Sequence, residues 1–287
     1  MPASDLITAI GDEDLASSRF FRFSLLMSVS GADNVEFFKV AICSVTLEQE
    51  TRPDEIVLVI DGPVAEQVKH YAREMSVTCD IPLKIVQSAT RRGLAASLNA
   101  GLVECSFEWA ARMDADDIAY PNRFFEQMSY LRENSDLAVI GSSMMEFGLG
   151  AERKKLVVTG LNKVRKTLKF KNPINHPTAI VNVAKVLNVG GYPLMEKNQD
   201  YGLWLLLAAA GYKLDNLEAT LLQFRLTENF YQKRGWALFR HDVEILKLQL
   251  GLGYINQGWF LLLLMCRCVL RGLPKQLLHI VYAVSRR

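Results

Sequence analysis

"EIVLVIDGP", residues 55–63, carries five consecutive apolar residues, Ile56 to Ile60, and then breaks at Asp61-Gly62-Pro63. A strand with one wet face alternates apolar and polar residues, so an unbroken run this short, closed by a turn, reads as a strand buried on both faces. Such strands belong to parallel sheets covered by helices. The flanking sequence supplies them: "RFSLLMSV" (22–29) reads as a strand, and 35–49 as a helix with Val35, Phe38, Ile42 and Val45 on one face, capped by Asp33 or Asn34. Residues 64–75 follow as a helix, "LKIVQ" (83–87) as a strand, 93–103 as a helix, "WAARM" (109–113) as a strand and "LAVIGS" (137–142) as another. Pro121 is expected in the first turn of the intervening helix. This alternation predicts an α/β fold with a mostly parallel central sheet and right-handed crossovers.

In such sheets ligands sit beyond the C-terminal strand ends. Asp61 ends one strand, and "RMDADDIAYP" (112–121) sets Asp114, Asp116 and Asp117 at the end of another. The two positions are expected to open into one crevice. Three adjacent carboxylates repel one another, which leaves two readings: a helix cap, or a Mg2+ or Mn2+ ion shared with substrate phosphates. No G-x-G-x-x-G or G-x-x-x-x-G-K-[ST] follows any strand, which disfavours dinucleotide-binding and P-loop folds.

Composition narrows the classes. Half of the 287 residues are apolar and 22% charged, an ordinary globular chain able to bury a core. Net charge is only +2, but nine of the 33 Lys/Arg and two of the 31 Asp/Glu lie from Tyr231 onward, leaving 24 basic against 29 acidic before it. A basic tail with its own partner is implied. Residues 252–270 are the most hydrophobic stretch, yet Asn256, Gln257 and Arg267 interrupt it. Its longest run falls short of the ~20 residues a spanning helix needs. With Arg271, Lys275, Arg286 and Arg287 behind it, it suits a helix lying on an anionic membrane surface, the alternative being a helix packed on the main domain. The five scattered cysteines read as reduced thiols, and Asp5, Asp12, Glu13 and Asp14 argue against a signal peptide.

Five motifs in order, "FSLLMSV", "PDEIVLVIDGP", "RRGLAASLNAGL", "RMDADDIAYPNRF" and "NQDYGLWLLLAAAGY", resemble the family 2 glycosyltransferases, in the bacterial O-antigen and exopolysaccharide branch, over about residues 22–235. The resemblance implies the GT-A fold, Rossmann-like, with a helical basic C-terminal extension. It divides the chain into a catalytic domain, 1–229, with a nucleotide half (about 20–120) and an acceptor half (about 121–229), and a membrane-associating region, 230–287.

It further implies an inverting, metal-dependent hexosyl or N-acetylhexosaminyl transfer from a nucleotide-sugar, a UDP-sugar, to a glycan or an undecaprenyl-diphosphate-linked sugar. The place implied is the cytoplasmic face of the inner membrane, with Mn2+ or Mg2+ as cofactor and no nucleic-acid partner. By resemblance Asp61 contacts the base, Arg92 the base or diphosphate, Asp114 the ribose or donor sugar, and Asp116 the metal; Asp117 is a cap or supports the ligands. Asp200 is the base that deprotonates the acceptor, in the first turn of a helix whose dipole is expected to keep it ionised. Lys233 and Arg234 in "QKRG" could close over the diphosphate or form a solvated turn. His176 could be near the site or structural, Tyr201 and Trp204 could line an acceptor pocket or belong to the core, and Gly190-Gly191-Tyr192 reads as a turn narrowing the acceptor side.

The chain departs from the family in having Ser28-Val29-Ser30-Gly31 where Tyr-Asn is usual, Arg91 where Asn is usual, and Gln199-Asp200 for Glu-Asp. The rival readings are a nucleotidyltransferase, whose Gly-rich loop "SVSGADN" matches poorly, and a non-catalytic glycan- or nucleotide-binding protein on the same fold.

Overall fold

The computed structural model describes residues 22–149, 152–227 and 239–272. Strands β1 (Phe23–Ser30), β2 (Glu55–Asp61), β3 (Leu83–Ser88) and β4 (Trp109–Asp114) pair in parallel in the order β3-β2-β1-β4. Helices α1 (Val35–Ser44), α2 (Glu66–Cys79) and α3 (Leu94–Glu104) are the crossovers between them. The unbroken run in β2 follows from this position: Ile56, Leu58 and Ile60 pack into one core with Phe38, Ile42, Val68 and Met75, and Val57 and Val59 pack into the other with Leu98 and Leu102. Each face of the strand therefore has its own apolar partner.

Beyond β4 the sheet becomes mixed. It continues through β8 (Ile180–Asn182), β6 (Leu137–Phe147), β9 (Lys213–Arg225) and the two-residue β5 (Ile118–Ala119), with β7 (Arg153–Lys155) pairing beside β6. β4–β8, β6–β8, β6–β7 and β5–β9 are antiparallel, while β6–β9 is parallel. Helix α4 (Arg123–Glu133) precedes β6, α5 (Leu161–Thr167) and α6 (Val183–Asn188) flank the 3-10 turn His176–Thr178 and β8, and α7 (Gln199–Ala209) precedes β9. Trp204, Leu203 and Leu207 of α7 fill the core shared with α3.

One open alternative is resolved and one local expectation shifts. Asn34, not Asp33, caps α1, accepting from the Glu36 and Phe37 amides, while Asp33 accepts from the Ser30 amide and hydroxyl. Pro121 lies one residue before the N-cap Asn122 of α4, because the chain stays extended there: the Tyr120 amide donates to Leu221 O and the Glu50 amide to Pro121 O.

The C-terminal helices differ from each other. α8 (Phe239–Gly251) is packed on the domain, with His241, Ile245, Leu246 and Gln249 buried. α9 (Gln257–Gly272) leaves Trp259, Leu261, Leu262, Met265 and Val269 exposed. No helix among the described residues is long and apolar enough to cross a membrane. Residues 273–287 of the expected tail lie outside the described residues.

Candidate active site

β1 lies between β2 and β4, with Ser30 opposite Asp61 and Ser28 opposite Asp114. The register thus brings both strand-end aspartates to the same edge of the sheet. Asp61 is buried, and its Oδ1 and Oδ2 accept the amides of Arg92 (2.6 Å) and Gly93 (2.9 Å). It ties down the loop that opens α3. Gly62 makes this tie possible: it sits at φ +84°, and a Cβ there would come within 3.0 Å of the Arg91 amide. The Arg92 side chain is exposed, so its contact with Asp61 runs through the backbone.

Asp114, Asp116 and Asp117 each offer an oxygen within 4.8 Å of the others. Arg112, two residues earlier on the same strand face, is 2% exposed and pairs with Asp114. Arg123, fully buried, donates to Arg112 O (2.8 Å); burial and the neighbouring Arg112 charge lower its pKa to about 9. These two guanidinium groups partly offset the crowded carboxylates.

Asp117 does not cap α4. Its Oδ1 accepts the Arg225 amide (2.9 Å) at the end of β9, and its buried Oδ2 has no hydrogen-bond partner. Burial, then the Asp114 and Asp116 charges, push its pKa well above the carboxylate range. Burial and the Asp114 charge also raise Asp116, to about 6. A buried carboxylate oxygen without a partner, beside two further carboxylates, is costly alone and is relieved by a cation. The residues present therefore fit an oxygen-liganded divalent metal. Arg225, stacked on Phe37 (4.0 Å) and Phe147 (4.6 Å), donates Nε to Asp116 O and fixes this loop from the far side.

Asp200 is at the second position of α7, after Asn198 in a left-handed conformation. It lines a chamber of about 180 Å³ with His176, Asn172, Asn175, Glu146, Lys155 and Phe224. Phe224 directly precedes Arg225, so the wall of this chamber runs into the residue that holds the acidic loop. Arg112 acts electrostatically on both sides, favouring the ionised forms of Asp200 and of Asp116. Its Nε and Nη1 are buried without partners.

The dipole of α7 does not set the Asp200 pKa. Burial raises it, while the Tyr201 amide and Asn172, whose Nδ2 donates to Oδ2 at 2.6 Å, pull it back only in part. His176 is buried and neutral, its pKa lowered well below the usual value by burial and by Arg112; its Nε2 lies 3.1 Å from the Tyr192 hydroxyl. The Gly190-Gly191-Tyr192 turn is present. Asn99 clamps it, accepting from the Tyr192 amide (2.7 Å) and donating to Tyr192 O (2.8 Å).

Tyr201 and Trp204 are core residues and do not line the Asp200 chamber. The Tyr201 hydroxyl donates to Leu168 O and Trp204 is fully buried. Lys233 and Arg234 lie outside the described residues. Three residues of this site were not expected. Arg112, a charge in an apolar strand, was visible as an anomaly; Asn172 and Arg225 act across 28 and 108 positions and leave no local signal.

A strand order 3-2-1-4 that opens at an acidic strand end, with a mixed second half carrying a further carboxylate, defines the GT-A class of nucleotide-sugar folds. Solved structures agree: the chain aligns with S. aureus TarS 1-349 in complex with UDP-GlcNAc at TM-score 0.62 and 16% identity, covering 80% of this chain and 66% of that one. It aligns with the mannosyltransferase PcManGT from Pyrobaculum calidifontis, in complex with GDP-Man and Mn2+, at TM-score 0.61 and 15% identity, covering 84% and 66%. The family model "Glycosyl transferase family 2" matches residues 36–188, and the chain belongs to that family. Among similar proteins are the amylovoran biosynthesis glycosyltransferase AmsE of Erwinia amylovora, 33% identical over 92% of this chain and 99% of that protein, and an Escherichia coli UDP-Gal:alpha-D-GlcNAc-diphosphoundecaprenol beta-1,3-galactosyltransferase, 27% identical over 91% and 95%.

Proposed function

We propose that this chain is an inverting glycosyltransferase that moves a hexose or N-acetylhexosamine from a UDP-sugar to a sugar carried on undecaprenyl diphosphate, in the assembly of a cell-surface polysaccharide. The observation that carries the reading is a half-buried carboxylate, Asp200, in a sugar-sized chamber whose wall residue Phe224 directly precedes the Arg225 that holds the acidic loop, with the Arg112 charge acting on both Asp200 and Asp116. The E. coli relative named for a diphosphoundecaprenol acceptor supports the lipid-linked substrate.

Asp200 accepts the proton of the acceptor hydroxyl as that oxygen attacks C1 from the face opposite the nucleotide. The C1–O bond to the diphosphate breaks, its electron pair leaves with UDP, and the anomeric configuration inverts. Asp116, with Asp114 and Asp117, would hold a Mn2+ or Mg2+ ion that neutralises charge on the departing diphosphate. Asp61 fixes the Arg92-Gly93 loop beside the base and diphosphate, Arg112 orients Asp114 toward the donor sugar, and Lys233 and Arg234 add charge beside the leaving group. Neutral His176, held by Tyr192, shapes the acceptor chamber.

Residues 1–229 form the catalytic domain and 230–287 the membrane-associating region, with α8 as the join between them. Exposed Trp259 of α9 packs edge-on against exposed Phe170 (6.3 Å), and the segment Arg153–Lys171 holds eight Lys/Arg and no acid. An exposed aromatic pair at the end of a basic segment suits docking at the anionic cytoplasmic leaflet.

UDP release from a panel of UDP-sugars with Mn2+ and a sugar-diphosphate-lipid acceptor tests the function. Wild type turns over with at least one pair, and Asp200→Asn loses about 10²–10⁴ of the rate. Equal background release from both proteins with every pair would overturn the reading.

A further inference from the structure

The Asp200 chamber adjoins a second, larger one of about 350 Å³, and the two share four lining residues, Glu146, Lys155, Asn172 and Asn175. Arg153, Lys154, Lys155 and Lys171 bring four positive charges to the larger chamber against one carboxylate, Glu146. Asp61, Asp114, Asp116 and Asp117 are not among the residues lining either chamber, so this cationic surface is separate from the metal-side cluster.

Arg153 and Lys155 have partners within the fold, but the lining still carries a net positive charge with Lys154 and Lys171 exposed on it, and such a surface attracts an anion. Neutral sugar rings are bound by carboxylates, amides and aromatic faces and gain little from a net positive lining. Lysine ammonium groups and an arginine fork are instead the usual partners of phosphate oxygens.

We infer that this chamber binds the diphosphate of the acceptor, a lipid-linked sugar diphosphate, one sugar ring away from the hydroxyl presented to Asp200. The assignment rests on reading Asp200 as the base, because that fixes where the acceptor sugar sits. The direction of the lipid is consistent with it: Lys171, which lines the chamber, follows Phe170, and Phe170 packs on Trp259 at the exposed apolar edge of α9. A diphosphate seated at Lys154 and Lys171 hands its lipid chain to that edge. Glu146, Arg153 and Lys155 are already engaged within the fold, so the test falls on the exposed Lys154 and Lys171.

The probe is farnesyl diphosphate, titrated calorimetrically into the full chain in EDTA, where the acidic cluster holds no metal. The expected result is binding that weakens about tenfold or more in Lys154→Ala/Lys171→Ala, about 1.4 kcal/mol per decade. It stays unchanged in Lys163→Ala, an exposed cation on α5 that does not line the chamber. Equal binding by wild type and the double variant, or an equal loss in Lys163→Ala, overturns the site. Binding of inorganic pyrophosphate with no competition from farnesyl diphosphate makes the ligand a free anion and overturns the acceptor assignment.

UDP binding with Mn2+ and the thermal midpoint, measured on the same variants, should not move; a loss of either would show that the lysines act on the donor site or the fold and would also overturn the inference. Failure of the glycosyltransferase reading appears elsewhere, as absent UDP release from wild type, and is therefore distinguishable.

Discussion

Replacing Asn172 with Ala removes the side-chain hydrogen bond that the Asp200 carboxylate receives, a 2.6 Å contact from Nδ2 to Oδ2. Burial already raises the Asp200 pKa, and Asn172 is one of the groups that lowers it. A hydrogen bond to a charged group contributes ~1.5–3 kcal/mol. At 1.36 kcal/mol per pH unit, losing it favours the protonated form by about one to two units. The proposed base works only when deprotonated, so activity is present above its pKa and lost as pH falls through it.

Wild type should therefore show an acidic limb in kcat/KM above the usual carboxylate range, and Asn172→Ala should move that limb upward by about one to two units. The high-pH plateau should fall much less. Asn172 Oδ1 also accepts the Ile174 amide, so some loss of stability accompanies the change, but a structural defect lowers the plateau without moving the limb. Initial rates of UDP release from pH 4.5 to 9 decide it. An unmoved limb would refute Asp200 as the titrating base.

Asp117→Asn keeps an acceptor for the Arg225 amide while removing a buried charge, so without metal the urea midpoint should hold or rise, and the thermal shift given by Mn2+ with UDP should shrink. A loss of stability without metal and an intact shift would mean that Asp117 acts only as a tether. Gly191→Ala imposes a side chain at φ +76° and sets a Cβ 2.5 Å from Asn99 Oδ1, breaking the clamp on Tyr192. Urea denaturation should show a loss of ~2–4 kcal/mol, and a change below ~1 kcal/mol would contradict the clamp. Phe170→Ser/Trp259→Ser should reduce sedimentation with phosphatidylglycerol vesicles while leaving soluble-donor hydrolysis intact; undiminished sedimentation would remove α9 from the membrane contact.

The nucleotide half of the molecule was legible because its signals are local. The run Ile56–Ile60 faces two helical layers, and β1, β2 and β4 each end one residue after their last apolar residue. The expected helix 35–49 stops at Ser44 because Thr46 Oγ1 donates back to Ile42 O and Gln49 Nε2 to Ser44 O, side-chain bonds that compete with the helix. The acceptor half was legible at α7 and at the first half of β6, where the strand read over 137–142 is present. Long β9 and the short β5, β7 and β8 are held by pairing across the chain rather than by their own periodicity.

The site divides in the same way. Asp61, Asp114, Asp116 and Asp200 stand out at element ends, whereas the tether from Asp117 to Arg225 and the bond from Asn172 to Asp200 exist only in three dimensions. The cation-rich chamber likewise needs β7 laid beside β6 before Arg153, Lys154 and Lys155 reach the neighbourhood of Lys171.

The central claim is a single displacement with Asp200 as base, and the anomeric configuration of the product tests it most directly. Proton NMR of the glycoside formed from an α-linked UDP-sugar should show the β-configuration from the first turnover, with product from Asp200→Asn slowed by about 10²–10⁴. An α-glycoside, or an Asp200→Asn variant that makes product at the wild-type rate, would contradict the account.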